Sequence, residues 1–165
     1  MHVVDNADQA MDVAKNMIGG HLVTKQSGEE GLPVHCVYIV EKINIAKEMY
    51  MSITLDRAAG CPVFIYSPAG GMSIEDVAHE DPSKIFKLHV NPFTGPEVED
   101  LMAAADHLGI PEQRSQLVWC MKSLYDCFMA KDCDMVEINP LITTKEGKVM
   151  CADSKVTIDG NAGFR

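Results

Sequence analysis

No apolar run in this 165-residue chain approaches the roughly 20 residues that a helical membrane span needs. Basic residues are also scarce: 14 Lys and Arg stand against 24 Asp and Glu, a formal charge of −10. That balance argues against general affinity for nucleic acid or acidic membrane surfaces. The six cysteines (Cys36, Cys61, Cys120, Cys127, Cys133 and Cys151) contain no C-x-x-C spacing, which argues against structural zinc. Nothing else marks a small disulfide-held secreted scaffold. Cys120 and Cys127 fall seven apart in a helical pattern, where a free thiol behaves as a small apolar group, so a reducing compartment is expected. The six histidines show neither H-x-x-x-H nor H-E-x-x-H spacing, and no Ser, His and Asp stand out as a triad. Ser67-Pro68-Ala69-Gly70-Gly71 is rich in glycine but is followed by Met72-Ser73-Ile74-Glu75, without a Lys-Ser/Thr pair. It reads as a tight turn and not as a P-loop. Residues 1–8 have neither signal-peptide nor transit-peptide character and read as the interior of a domain that begins without its first elements.

What remains is ordinary globular material, 47% hydrophobic and 23% charged, long enough for one or at most two small domains with a real core. Ala10, Val13, Ala14 and Met17 have helical spacing and Gly19-Gly20 ends them, predicting a helix over 8–18. Residues 35–40, 49–55, 62–66 and 86–90 have strand composition. Ser73 can cap a short helix through Val77. Val98, Leu101, Met102, Ala105 and Leu108 make one apolar stripe that Gly109 stops, and Leu117, Met121, Leu124 and Phe128 make another. The 11 methionines fall mostly on these stripes and strands and read as core. Strands and helices mix without regular βαβ alternation, so the expected class is α+β with a largely antiparallel sheet, in one compact unit without a flexible linker.

The last third carries the densest chemistry. Met135-Val136-Glu137-Ile138-Asn139-Pro140 and Val149-Met150-Cys151-Ala152-Asp153-Ser154-Lys155 flank Lys145-Glu146-Gly147. If those three residues turn the chain, opposed positions in a hairpin sum to 292. Asn139 then faces Asp153, and Glu137 faces Lys155, all on one side. Opposed β-carbons lie about 5 Å apart, and a carbonyl oxygen opposite a carboxylate suits a hard cation such as magnesium. The alternative is a solvated polar hairpin, with Glu137 and Lys155 an exposed ion pair of little energetic value. A second constellation is the stretch from Glu41 to Glu48. A strand is expected to end at Glu41 and another to open at Glu48, and the connection between them could offer backbone groups to a flat base and a carboxylate to a ribose. A solvated turn is the plainer reading.

These residues also resemble a known family. Val136-Glu137-Ile138-Asn139-Pro140-Leu141, Thr144-Lys145-Glu146-Gly147-Lys148, Cys151-Ala152-Asp153-Ser154-Lys155 and Asp159-Gly160-Asn161-Ala162-Gly163-Phe164-Arg165 look like the β subunit of succinyl-CoA synthetase. The likeness extends back through Gly70-Gly71-Met72-Ser73-Ile74-Glu75-Asp76-Val77-Ala78 and Ile45-Ala46-Lys47-Glu48-Met49-Tyr50, covering nearly the whole chain in order. The resemblance implies a partial ATP-grasp fold, with residues 1–165 as the central fragment of a longer subunit. The phosphate-contacting loops of the family would precede this fragment, and its CoA-ligase domain would follow.

The resemblance makes Asn139 and Asp153 magnesium ligands. It sets Glu41 and Glu48 at the base and ribose of ATP/ADP or GTP/GDP, with the backbone of Ile43 against the base. Glu137 would meet a phosphohistidine on a partner α subunit, in a heterodimer or heterotetramer. The implied reaction is that of an acid–thiol ligase of the citric acid cycle: succinyl-CoA, phosphate and nucleoside diphosphate give succinate, CoA and nucleoside triphosphate. Succinate and CoA would be held by other regions, so this fragment alone is expected to be inactive. The seven-position step from Glu41 to Glu48 is similar to that of GTP-using eukaryotic members. A mitochondrial matrix or related organelle is implied for a eukaryote and the cytoplasm for a bacterium. Malate–CoA ligase, ATP-citrate lyase and a non-catalytic truncated paralogue that only binds a partner remain open alternatives.

Overall fold

The computed structural model describes residues 2–24 and 27–164. They fall into two compact units, Met1–Ile43 and Asn44–Arg165, where a single unit was expected.

The first unit opens with α1 (Ala7–Met17). The Asn6 side chain caps it by accepting from the Gln9 N–H at 2.9 Å, and Asp8 in the first turn suits the helix dipole. Gly19, at φ 86°, lets the chain leave the helix in a conformation other residues rarely adopt. Two short strands follow, β1 (His21–Leu22) and β2 (Leu32–Pro33), paired antiparallel. None of the described residues of this unit is fully buried.

The strand expected at 35–40 is not formed. A strand needs a neighbour for its N–H and C=O groups. Among the described residues none pairs with this segment, and Tyr38 stands 92% exposed. Strand composition alone does not supply a partner.

The second unit is an antiparallel sheet. Its strands are β3 (Ile45–Asp56), β4 (Cys61–Ser67), β5 (Phe86–His89), β6 (Cys133–Thr144), β7 (Val149–Cys151) and β8 (Ser154–Ile158). The order is β5-β4-β3-β6-β7, with β8 also pairing to β6. β3 begins at Ile45, three residues before the expected start at Glu48. As the central strand it is buried on both sides: Met49, Met51 and Ile53 point one way, Tyr50 and Ser52 the other, and all are at most 3% exposed. That double burial is why apolar residues at 49–51 follow one another without the polar alternation of a half-exposed strand.

Among the described residues three α-helices belong to this unit: α2 (Ile74–Glu80), α3 (Val98–His107) and α4 (Arg114–Ala130). Leu101, Ala104, Ala105 and Leu108 of the α3 region pack with Leu117, Met121, Tyr125 and Phe128 of α4 against Met49, Met51, Ile53, Phe64, Val136 and Ile138. The two apolar stripes thus cover one face of the sheet, as their spacing predicts. Lys47 Nζ donates to the Leu108 carbonyl at 2.6 Å, satisfying an orphan acceptor at the end of α3.

Removing a fully buried side chain leaves a cavity in addition to the lost transfer energy. Leu117→Ala, at a position 0% exposed, should therefore cost about 2–5 kcal/mol in urea unfolding. Leu55→Ala, at a position 51% exposed, should stay within about 0.5 kcal/mol. Equal losses at the two positions would contradict the core described above.

Candidate functional site

The closing hairpin has the register that its sequence predicts. Leu141 pairs with Cys151, Ile142 with Met150 and Thr143 with Val149 on β7, while Glu137 pairs with Lys155 and Ile138 with Ser154 on β8. Between these sets the Asn139 N–H donates to the Asp153 carbonyl at 3.2 Å, and Ala152 N–H donates to the Pro140 carbonyl at 3.1 Å. The turn is the expected one. Gly147 sits at φ 78°, Gly147 N–H donates to the Thr144 carbonyl, and Asn44 C=O accepts from Lys145 N–H. A three-residue hairpin loop with glycine in the left-handed region fixes such a register.

On its other side β6 departs from regular pairing. Met49 of β3 faces Leu141 and Met51 faces Ile138, so Asn139 and Pro140 together stand opposite Tyr50. This is a β-bulge, which frees one residue from the ladder and re-aims its side chain. Pro140 has no N–H to offer β3, and the Asn139–Pro140 peptide is cis.

The freed Asn139 amide reaches the loop after β4. Its Oδ1 accepts from Gly71 N–H at 2.9 Å and its Nδ2 donates to the Met72 carbonyl at 2.8 Å. The glycines there are a packing requirement. A Cβ on Gly70 would stand 2.3 Å from the Met49 carbonyl oxygen, and one on Gly71 would stand 2.3 Å from Glu48 Oε2. Gly71 is also at φ 73°, where side chains are disfavoured. Glu48, Asn139 and the Gly70-Gly71-Met72 turn therefore meet at one place, and Asp153 lies across the hairpin from Asn139. Spacing alone read that turn only as a connection. The signal that could have marked it is a glycine pair that two residue-sized strand ends must accommodate.

The surrounding charges are arranged along the same hairpin. Asp153 is exposed, and its Oδ1 accepts from Ser154 N–H at 2.9 Å. Among the described residues Glu137 and Lys155, though opposed, form no ion pair, so the alternative of an exposed pair is not met. Lys155 instead helps hold the Glu75 carboxyl below its usual range, an effect due first to the Ser73 hydroxyl hydrogen bond. Burial pushes Tyr50 up, and the charges of Glu137 and Glu75 add to it against a lowering hydrogen bond from Ser52. Tyr50, Glu75, Glu137 and Lys155 thus share one electrostatic neighbourhood. Glu41 and Ile43 belong to the first unit, where Glu41 is exposed and Ile43 half-buried in a segment without strand pairing.

Among the described residues no three His, Cys, Asp or Glu side chains converge on a point. A groove of about 430 Å³ lies elsewhere, between α4 and β7, with Trp119, Cys120 and Cys151 in its wall. The neighbouring Cys120 thiol holds Cys151 down to about 7, and Cys151, together with burial, pushes Cys120 up.

Residues 1–143 match the family model of the ATP-grasp domain. Over 164 residues, 99% of the chain, the sequence is 45% identical to the succinate–CoA ligase [ADP-forming] β subunit of Chloroherpeton thalassium, of which it spans 42%. It is 43% identical over its whole length to the mitochondrial succinate–CoA ligase [ADP-forming] β subunit of Dictyostelium discoideum, of which it spans 37%. Among solved structures, ATP citrate lyase from Methanothrix soehngenii, in complex with citrate and coenzyme A, superposes with a TM-score of 0.67 over 95% of this chain. That match covers 34% of the lyase at 15% identity and so shows likeness of fold alone.

Asn139→Ala removes both bonds to the glycine turn and leaves Gly71 N–H and Met72 C=O without their partner. The expected cost is about 1–3 kcal/mol. In native-state hydrogen exchange the Gly71 amide should exchange about tenfold faster or more, since about 1.4 kcal/mol is a factor of ten. An unchanged Gly71 rate would mean that Asn139 does not hold the turn.

Proposed function

This chain belongs to the ATP-grasp family, and we propose that it is the central nucleotide- and magnesium-binding part of a succinate–CoA ligase β subunit. The chain spans about two fifths of the curated relatives it matches, and the proposal assigns residues 1–165 to the ATP-grasp portion of such a subunit. The observation that carries the reading is the Asn139–Asp153 pairing across the hairpin, beside a glycine turn that packs against Met49 and Glu48 and is hydrogen-bonded by Asn139.

The residues present fit magnesium. This ion keeps several waters and is held by one or two carboxylates together with substrate phosphates, so a protein cage of three acids is not required. Asp153 supplies the carboxylate. The Asn139 carbonyl oxygen spends one lone pair on Gly71 N–H and has a second available. When bound, the ion neutralises oxygens of the transferring phosphoryl group.

The chain's own groups then divide the work. Glu48, set against Gly71, accepts from the ribose, and Glu41 and the Ile43 backbone contact the base. Gly71 and its neighbours fix the height of Asn139, so that the hairpin and the ribose contact keep a constant spacing. Glu137, half-buried and without an ion-pair partner among the described residues, faces a phosphohistidine presented by a partner α subunit. In the complete enzyme the reaction is succinyl-CoA, phosphate and nucleoside diphosphate to succinate, CoA and nucleoside triphosphate. The two relatives described above are named ADP-forming, which favours ADP over GDP. Localisation would follow the source: relatives from Dictyostelium discoideum and Solanum lycopersicum are mitochondrial.

Titrating the 165-residue chain with Mg-ADP should protect the Gly71 and Asn139 amides from exchange, and Asp153→Asn should weaken that binding about tenfold in magnesium while leaving magnesium-free binding unchanged. Equal binding by both proteins would remove Asp153 from the site. The isolated chain should show no succinyl-CoA turnover without an α subunit. Turnover by the chain alone would overturn its assignment as one part of a larger catalyst.

A further inference from the structure

We propose that Cys120 and Cys151 form a redox-active pair, a modification site that takes a hydroperoxide as two-electron oxidant and closes to a disulfide tying α4 to β7. Gln116 sets the geometry. Its Nε2 donates to the Gly147 carbonyl and its Oε1 accepts from Val149 N–H, both at 2.9 Å, clamping α4 onto the start of β7.

From that clamp the two elements advance together. One turn along α4, a rise of about 6 Å, brings Cys120 to the face that carries Gln116. Two residues along β7, a rise of about 7 Å, bring Cys151 to the side that carries Val149. Both cysteines thus come to the wall of one groove between α4 and β7. Val149 and Cys120 both pack against the core, so the pair is anchored at its inner end, while Cys151 is exposed. That groove, of about 430 Å³, admits a small oxidant, and Trp119 and Met150 stand in the same wall.

The chemistry balances with the peroxide alone. The Cys151 sulfur attacks one peroxide oxygen, the O–O bond breaks, and the departing hydroxide takes the thiol proton as water, leaving a sulfenic acid. The Cys120 sulfur then attacks the Cys151 sulfur, the S–O bond breaks, and the second hydroxide leaves as water with the Cys120 proton. Two thiols lose two electrons and hydrogen peroxide becomes two waters. The competing pair is Cys127 and Cys133, where the Cys133 Sγ lies 3.9 Å from the Cys127 carbonyl oxygen. Those two residues are six apart in sequence, across the short connection from α4 to β6, so a bond there would close only a small local loop, whereas a Cys120–Cys151 bond would tie α4 to a strand that lies beyond β6 in the chain.

The reduced chain is treated with equimolar hydrogen peroxide, its remaining thiols are alkylated, and it is digested without reductant for mass spectrometry. The expected result is a linked peptide joining Cys120 to Cys151, loss of two of the six thiols, and reversal by dithiothreitol. Emission from Trp119, the only tryptophan, should change with oxidation and recover with reduction. Cys151→Ser, at an exposed position, should abolish the link and the emission change, whereas Cys36→Ser should leave both. A linkage at Cys127–Cys133 alone, thiol loss spread evenly over the six cysteines, or an undiminished emission change in Cys151→Ser would overturn the proposal. If Cys151→Ser fails to fold by circular dichroism, the linked peptide from the unaltered chain decides it.

Discussion

The side chain of Asn139 is the joint on which the polar end of this molecule depends. Two stretches far apart in sequence must be held together, the bulge of β6 and the Gly70-Gly71-Met72 turn after β4, with Glu48 of β3 standing against Gly71. One primary amide does this, because it can accept from Gly71 N–H and donate to the Met72 carbonyl at once. The bulge is what makes the amide available, since in regular pairing Asn139 would be committed to the ladder opposite Tyr50. The glycines complete the arrangement, because any Cβ at 70 or 71 would collide with β3. Turn, bulge and carboxylate thus constrain one another, and the helical core on the opposite face has no part in it.

The hairpin was legible in the sequence because its two strands and three-residue loop obey simple arithmetic. A glycine at the left-handed position fixes where the chain reverses, and every opposed pair then follows from one sum. The helices were legible for a similar reason, since their apolar stripes have only one face to bury. Two things escaped. Residues 35–40 have strand composition but no pairing partner among the described residues, and composition cannot report a partner. The docking of Gly71 against Asn139 and Glu48 joins residues 68 positions apart and 23 apart, and no local pattern encodes such a meeting. Cys120 and Cys151 escaped likewise, because a helical stripe accounts for Cys120 as a small apolar residue until a strand is laid beside it.

Division into two units also follows from where burial is possible. The second unit has a central strand covered on both faces and two helices to close it, and it contains every fully buried residue of the described chain. The first unit has one amphipathic helix and a two-stranded ladder, too little surface to sequester a core of its own. Glu41 and Ile43 stand in that lightly held unit, whereas Glu48, Asn139, Asp153 and Glu137 stand on the well-packed sheet. The proposed metal and phosphohistidine contacts therefore rest on rigid backbone, and the base contacts on backbone with little packing to fix it.

An aspartate at 139 would place oxygen donors at the same point, so the amide needs its own explanation. Aspartate could still accept from Gly71 N–H but could donate nothing to the Met72 carbonyl, leaving that acceptor without its partner. It would also set a second carboxylate across from Asp153, in a chain that already carries −10 and beside Glu48. Two such charges about 5 Å apart repel by roughly 3 kcal/mol at an effective dielectric near 20. A bound cation would relieve that repulsion, but the empty site would carry it and the turn would be driven off the bulge. Asparagine keeps the oxygen, supplies the missing donor and leaves the charge to Asp153 alone. The residue that holds the turn in the absence of ligand is thus the same one that can offer an oxygen to a cation, and only a neutral amide does both.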